Sequence, residues 1–315
     1  MGSRLKRRAA ALLAVSAALA AAACGNEEGP QDAAGPPDVS GPQVFELPEP
    51  FAAGRAFADL RAQVRIGPRP SGSPGSRREV ALIVAALRGA GLDPVVQRPY
   101  RNVVARISGK GQGTVVIGAH HDTKDGIPGF VGANDGASGV AVLVELARLL
   151  GGFVEAEGRP LPGPTIVLAF FDAEEARGER PSFEDGTRGS RQFVSLAAAG
   201  GGQGAPPLAR ISAMYLLDMV GDCELEIPRE QFSDPRLYAR LRGPVFEGET
   251  GPVNDDHLPF EAAGIPAVDI IDFTYGPGPT PGAWWHTPED SVDKVCGSSL
   301  RTVGNAVLLA VLAGG

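Results

Sequence analysis

Thr114-Val115-Val116-Ile117-Gly118-Ala119-His120-His121-Asp122 sets an apolar run directly against three polar side chains. Residues 114–117 lack polar alternation, the pattern of a strand buried on both faces rather than of one with a wet side. The same pattern recurs at 165–171, 212–217 and 267–271, and 103–107 reads as a further strand. Helical spacing separates these runs: Val80, Ile83, Val84 and Leu87 mark a helix over 79–87, and others follow at 140–150, 190–198 and 300–312. Strands interleaved with helices predict a single α/β domain of three layers, α/β/α, around a mixed, mostly parallel sheet. No helix follows Gly109-Lys110-Gly111-Gln112-Gly113, so this segment is read as a hairpin turn between strands 103–107 and 114–117 and not as a phosphate loop.

A chain of 315 residues, 43% hydrophobic and 21% charged, has the means to bury one large core, and its 43 Gly and 28 Pro call for abundant loops. Three Cys and four His exclude a disulfide scaffold, a four-Cys zinc ribbon or an iron-sulfur protein carried by this chain alone. Any metal site must therefore lean on carboxylates. The net charge is -8, and no basic tract beyond the extreme N-terminus offers a footprint for nucleic acid.

That N-terminus reads as an export signal. Arg4, Lys6, Arg7 and Arg8 precede an apolar run, Ala9 to Ala23, that is too short to span a bilayer as a helix. It ends Ala21-Ala22-Ala23-Cys24, which resembles the lipobox of bacterial lipoproteins except that Ala21 stands where that pattern usually has Leu. The resemblance implies lipidation of Cys24; ordinary cleavage after a small-x-small site is the alternative. Residues 24–50 have the composition of a flexible tether, and the folded domain is expected over 51–315. The expected location is the bacterial cell envelope, with the membrane engaged by the lipid anchor alone. Cys223 and Cys296 are left to pair or to remain buried thiols.

In a parallel sheet ligands bind beyond the carboxyl ends of the strands. There the first run leads to His120, His121 and Asp122, the second to Asp172, Glu174 and Glu175, the third to Asp218, and the fourth, through a Pro/Gly-rich loop, to Trp285-His286. Strand alternation places His120 and Asp122 on one side, with the carboxylate behind the imidazole to fix its tautomer. His121 takes the other side, the reverse assignment being the alternative. Of the neighbours Glu174 and Glu175, one ligates and the other is free to move a proton. Asp135, before the helix over 140–150, reads alone as a helix N-terminal carboxylate and in this company as a bridge between two ions. Ser138, in Gly136-Ala137-Ser138-Gly139, raises a serine hydrolase as a rival, but the spacing is not Gly-x-Ser-x-Gly.

Gly118-Ala119-His120-x-Asp122, Asn134-Asp135-Gly136, Phe171-Asp172-x-Glu174-Glu175, Leu217-Asp218, Asp255-Asp256-His257-x-Pro259-Phe260 and Trp285-His286-Thr287 together resemble metallopeptidase family 28. Arg69-Pro70-x-Gly72-Ser73-Pro74-Gly75-Ser76 extends the resemblance upstream. The family holds zinc aminopeptidases with co-catalytic metals and the glutaminyl-peptide cyclotransferases. The resemblance implies one or two zinc ions in a catalytic domain over 51–315, acting on peptide or protein N-termini. In the aminopeptidase pattern His120 and Asp218 hold one zinc, Glu175 and His286 the other, Asp135 bridges and Glu174 is the general base. In the cyclotransferase pattern one zinc lies between Asp135, Glu175 and His286. Glu174 then carries a proton from the amine of an N-terminal Gln to departing ammonia, Asp218 and Asp255 belong to an acid network, and Trp285 lines the pocket. Asp256 and His257 are read as pocket wall, and Trp284 as pocket or rim. The doubled Asp255-Asp256 and Trp285 lean towards the cyclotransferase. Arg180, where that pattern has a second pocket tryptophan, leans away, and the retained His120 keeps a second metal site in play. An inactive scaffold lipoprotein is the remaining reading, set against a complete ligand set.

Overall fold

Each run read above as a strand becomes one, and the two faces of the sheet they form are covered by different helices. The structure is a computed structural model that describes residues 50–178 and 185–312; the leader, Cys24, all but the last residue of the tether, and Arg180 lie outside the described residues. Strands β1 (Val95–Val96), β2 (Val103–Ile107), β3 (Thr114–His120), β4 (Thr165–Phe171), β5 (Ile211–Asp218) and β6 (Ala267–Ile271) form one sheet in the order β1-β2-β4-β3-β5-β6. β3 to β6 run parallel, while β2 is antiparallel to both β1 and β4. The fold is a single-domain α/β sandwich of three layers, as expected.

Strand alternation sorts the core into two halves. Val115, Ile117, Ala119, Ile166, Leu168 and Leu217 pack beneath α1 (Ala53–Val64), α2 (Pro74–Gly89), α3 (Ala137–Glu157) and α7 (Gly297–Leu312). Val116, Val167, Phe171, Met214 and Leu216 face α4 (Arg188–Ala198) and the short α6 (Leu258–Ala262) through Phe193 and Phe260. A further short helix, α5 (Pro235–Tyr238), precedes α6. α3 is apolar on nearly all sides, long and apolar enough to cross a bilayer, yet it is the core helix, enclosed by the sheet, α1, α2 and α7. α2 begins where Pro74 follows Ser73, whose side chain accepts the Ser76 amide at 3.0 Å.

The crossover after β3 goes to one face of the sheet and that after β4 to the other, so a crevice opens beyond the shared carboxyl ends. Close packing brings α3 onto this edge: a Cβ on Gly139 would lie 2.2 Å from the Leu217 carbonyl oxygen, one residue before Asp218. The Cys223–Cys296 disulfide ties the loop after β5 to the start of α7, which settles the pairing left open above.

Two expectations are corrected. The hairpin between 103–107 and 114–117 does not form, because β4 lies between β2 and β3. The glycine segment instead crosses the entry to β4, where Lys110 N–H donates to Leu161 O and Gly111 N–H to Gly163 O, each at 2.8 Å. Helix α1 was not foreseen at all. The expected helices are present but longer, above all α3, which runs from Ala137 to Glu157 against the expected 140–150.

Gly139 and Gly152 lie in the same helix and give opposite expectations. Alanine usually stabilises a helix interior by up to about 1 kcal/mol over glycine. Gly152→Ala meets nothing within 4 Å and is expected to raise the urea midpoint, whereas Gly139→Ala collides with backbone and is expected to lower it. Equal effects of the two changes would refute the close α3–β5 contact.

Candidate metal centre

The carboxyl ends of β3, β4 and β5 deliver the polar side chains to one place. β3 ends at His120, opposite Phe171 of β4, and β5 ends at Asp218. His120 Nε2 lies 3.1 Å from Asp218 Oδ1 and 3.2 Å from Asp135 Oδ1. His286 Nε2 lies 3.1 Å from Glu175 Oε1 and 3.3 Å from Asp135 Oδ2. Asp135 thus offers one oxygen to each of two triads, His120–Asp135–Asp218 and Asp135–Glu175–His286, whose donor atoms lie within 4.8 Å of one another. Nitrogen and oxygen donors in these numbers suit zinc, and donors tetrahedrally arranged about 2.0–2.1 Å from an ion stand roughly 3.3–3.4 Å apart, close to these separations. Asp135 Oδ2 is buried without a hydrogen-bond partner, an arrangement that a cation would resolve.

The backbone around these residues is strained. Ala173, directly before the glutamates, Met219, directly after Asp218, and His286 itself all have positive φ, at 61°, 47° and 52°. Such conformations cost of order 1–3 kcal/mol each and persist only where surrounding contacts hold them. The contacts here are specific. Asp122 accepts the amides of Glu174 and Glu175 at 3.1 and 3.3 Å, the Arg188 guanidinium donates to Glu175 O, and Lys124 Nζ donates to Ala176 O. Asp122 therefore serves the glutamate turn rather than the imidazole. Its oxygen stays 3.7 Å from His120 Nδ1, beyond hydrogen-bond reach, which corrects the expected tautomer lock.

Electrostatics follow from so many acids in one buried place. Glu174 is pushed well above the ordinary carboxylate range by burial and then by Asp255 and Glu175. Asp255 is pushed up by burial, with Asp218 and Asp256 adding to it, and Glu175 by burial with Asp135. Burial alone would lower the His286 imidazole, but the Asp135 and Glu175 carboxylates against it prevail and raise it to about 10. Asp135 moves down despite its burial, because both imidazoles stand against it.

A cavity of about 220 Å³ opens above the triads, lined by Asp135, Glu174, Glu175, Asp218, Asp255 and His286 with Lys124, Asn254, Phe273 and Trp285. Asp256 and His257 do not line it, against expectation. The chain turns into α6 at His257 and carries both inward: the Ser190 hydroxyl donates to Asp256, and His257 Nε2 lies 3.3 Å from Glu230 Oε2, all fully buried. Trp284 packs edge-on against Tyr275 instead of facing the cavity. His121 points away from the centre, its Nε2 3.3 Å from Arg101 O. Ser138 donates to Asn134 O and accepts the Val220 amide inside the core, leaving no nucleophile for the serine hydrolase reading. Lys124 and Phe273 were missed, although each stands two residues beyond a position already singled out, Asp122 after the first run and Ile271 at the end of the last.

The sequence pattern that defines Peptidase family M28 matches residues 102–311. A glutaminyl-peptide cyclotransferase of Boiga irregularis is 27% identical over 252 residues, covering 70% of this chain and 67% of that protein. A glutaminyl cyclase of an Acidobacteriales bacterium has a similar solved structure, with a TM-score of 0.72 and 32% identity over 86% of this chain and 97% of that one. A zinc-dependent exopeptidase of Parabacteroides distasonis shares the fold, with a TM-score of 0.68 and 24% identity over 84% and 99% of the two chains.

The imidazole of His286 gives the metal-free centre a pH signature. Its pKa is raised from 6.5 to about 10 on folding, so the stability it contributes is complete below about pH 6.5 and is lost as pH rises through about 10. The melting temperature of chelator-treated protein is expected to fall across that window and to recover on adding zinc. A flat metal-free profile would show that Asp135 and Glu175 do not hold His286.

Proposed function

The chain belongs to peptidase family M28, and on that premise we propose that it is a zinc-dependent glutaminyl cyclase, converting N-terminal Gln of peptides to pyroglutamate with loss of ammonia. The observation that carries this reading is Glu174. It lines the cavity beside the Asp135–Glu175–His286 triad and is held above the ordinary carboxylate range by burial, Asp255 and Glu175, which suits a group that must both accept and return a proton. The likeness to the Acidobacteriales glutaminyl cyclase, spanning almost all of that chain, supports the same reading.

Asp135, Glu175 and His286 would hold the zinc. When bound it would polarise the γ-carbonyl of the substrate glutamine and stabilise charge developing on its oxygen. Glu174 takes a proton from the attacking α-amine as the N–Cδ bond forms, then returns it to the leaving NH₂ as the C–N bond breaks, so that ammonia departs. Asp255, beside Asp218 and held above the ordinary carboxylate range by burial, lines the cavity near the reacting groups. Trp285 and Phe273, edge to face with ring centroids 5.4 Å apart, give the cavity an apolar wall for the glutamine methylenes. Export and attachment through a lipidated Cys24 complete the proposal and would present the site to peptides outside the cytoplasm.

A second reading rests on the His120–Asp135–Asp218 triad, which offers a second ion site and with it the co-catalytic hydrolysis of an aminopeptidase. One experiment separates the two. Zinc-loaded protein is incubated with a Gln-terminal and a Leu-terminal peptide and the products are weighed by mass spectrometry. Loss of ammonia from the first is expected; release of free leucine from the second would replace the cyclase with the aminopeptidase. Glu174→Gln is expected to lower kcat by at least about 10²-fold with zinc retained, and activity close to the parent would remove Glu174 from its role.

A further inference from the structure

Asp290 lies four residues after His286, fully buried, and no step above uses it. Three donors converge on its carboxylate. Oδ1 accepts the Asn134 amide at 2.8 Å and the Tyr275 hydroxyl at 2.8 Å, and Oδ2 accepts the Asp135 amide at 3.1 Å. Tyr275 is itself fully buried, and Gly282 packs so closely on its backbone that a Cβ there would come within 2.1 Å of Tyr275 O. The turn that carries His286 therefore reaches across the centre and grips the backbone of the carboxylate shared by both triads.

We propose that Asp290, braced by Tyr275, is a positioning residue that sets Asp135 against the metal and locks the His286 loop to the Asp135 loop. The inference rests on the metal-binding part of the proposed function and deepens it. A carboxylate offers acceptor oxygens to both successive amides and to a hydroxyl at once. An asparagine keeps one acceptor and turns an NH₂ towards a donor, so that one of the two amides is left unpaired in a buried place. Regular secondary structure does not hold the backbone at this point. Asp135 precedes the first residue of α3, and Gly136 between them has a φ of 93°, so no regular element fixes the Asp135 carboxylate. On the far side, Arg69 donates to Val131 O at 2.7 Å and Gly132 O at 3.1 Å, and the Gly221 amide donates to Asn134 Oδ1 at 2.7 Å. Those bonds hold the turn but none reaches Asp135 itself; Asp290 does.

Zinc affinity of the full chain, read by competition with a chromophoric chelator, tests this without reference to turnover. Asp290→Asn is expected to weaken zinc binding about 10- to 100-fold, the range found when partners of metal ligands are removed, and to alter the visible spectrum of the cobalt-substituted protein. Tyr275→Phe, which deletes one hydroxyl and is the variant to use if Asp290→Asn does not fold, is expected to weaken it several-fold in the same direction. A purely structural role would lower the metal-free melting temperature and leave zinc affinity and the cobalt spectrum at parental values; that result in both variants overturns the proposal. Should the parent protein bind no zinc, the proposal and the metal reading fail together. Should it bind zinc tightly but release no ammonia from Gln peptides, the cyclase reading fails and the role of Asp290 stands or falls on the affinities alone.

Discussion

Taking a carboxylate out of water costs several kcal/mol unless donors or a cation meet it. This fold gathers Asp122, Asp135, Glu175, Asp218, Asp255, Asp256, Asp269 and Asp290 into buried positions around one end of a sheet. The surrounding architecture is an answer to that cost. Parallel strands end together, so their terminal side chains converge; the turns beyond them point backbone amides inward; and His120, His286 and Lys124 are the cations that reach the same space. The acids divide by what meets them. Asp122 and Asp290 meet amides and act as fasteners, Asp135, Glu175 and Asp218 meet imidazoles and are fit to ligate, and Glu174 and Asp255 are buried facing other acids, which raises the pKa of both.

The two fasteners repeat one device. Each accepts a pair of successive amides on a turn that carries a candidate ligand: Asp122 those of Glu174 and Glu175, Asp290 those of Asn134 and Asp135. Each comes from a different strand-end loop than the turn it holds. Strained residues such as Ala173 and His286 survive in this setting because they are fixed from outside their own segments.

The residues of the centre were legible in the sequence because burial on both faces of a strand leaves an unbroken apolar run, and whatever polar group follows such a run sits at the site edge. The three layers came from the same runs. What eluded the sequence was contact between remote segments. β2 pairs with β4, some sixty residues on, so a glycine-rich link to β3 imitates a hairpin. Asp256 and His257 follow Asp255 directly, but the start of α6 turns them away from the cavity. Asp290 sits in Pro288-Glu289-Asp290, after no apolar run that would mark it, and only the folded chain brings the amides of residues 134 and 135 to it.

Asp135 gives one oxygen to each triad, and this sharing has a thermodynamic corollary. A cation drawn to one oxygen withdraws charge from the other, so the affinity of either half depends on whether its neighbour is filled. Linkage requires the dependence to be reciprocal, each half altering the other by the same factor. Two cations bound there would have no independent dissociation constants, and the number held would be set by the free metal concentration around the protein as much as by its structure.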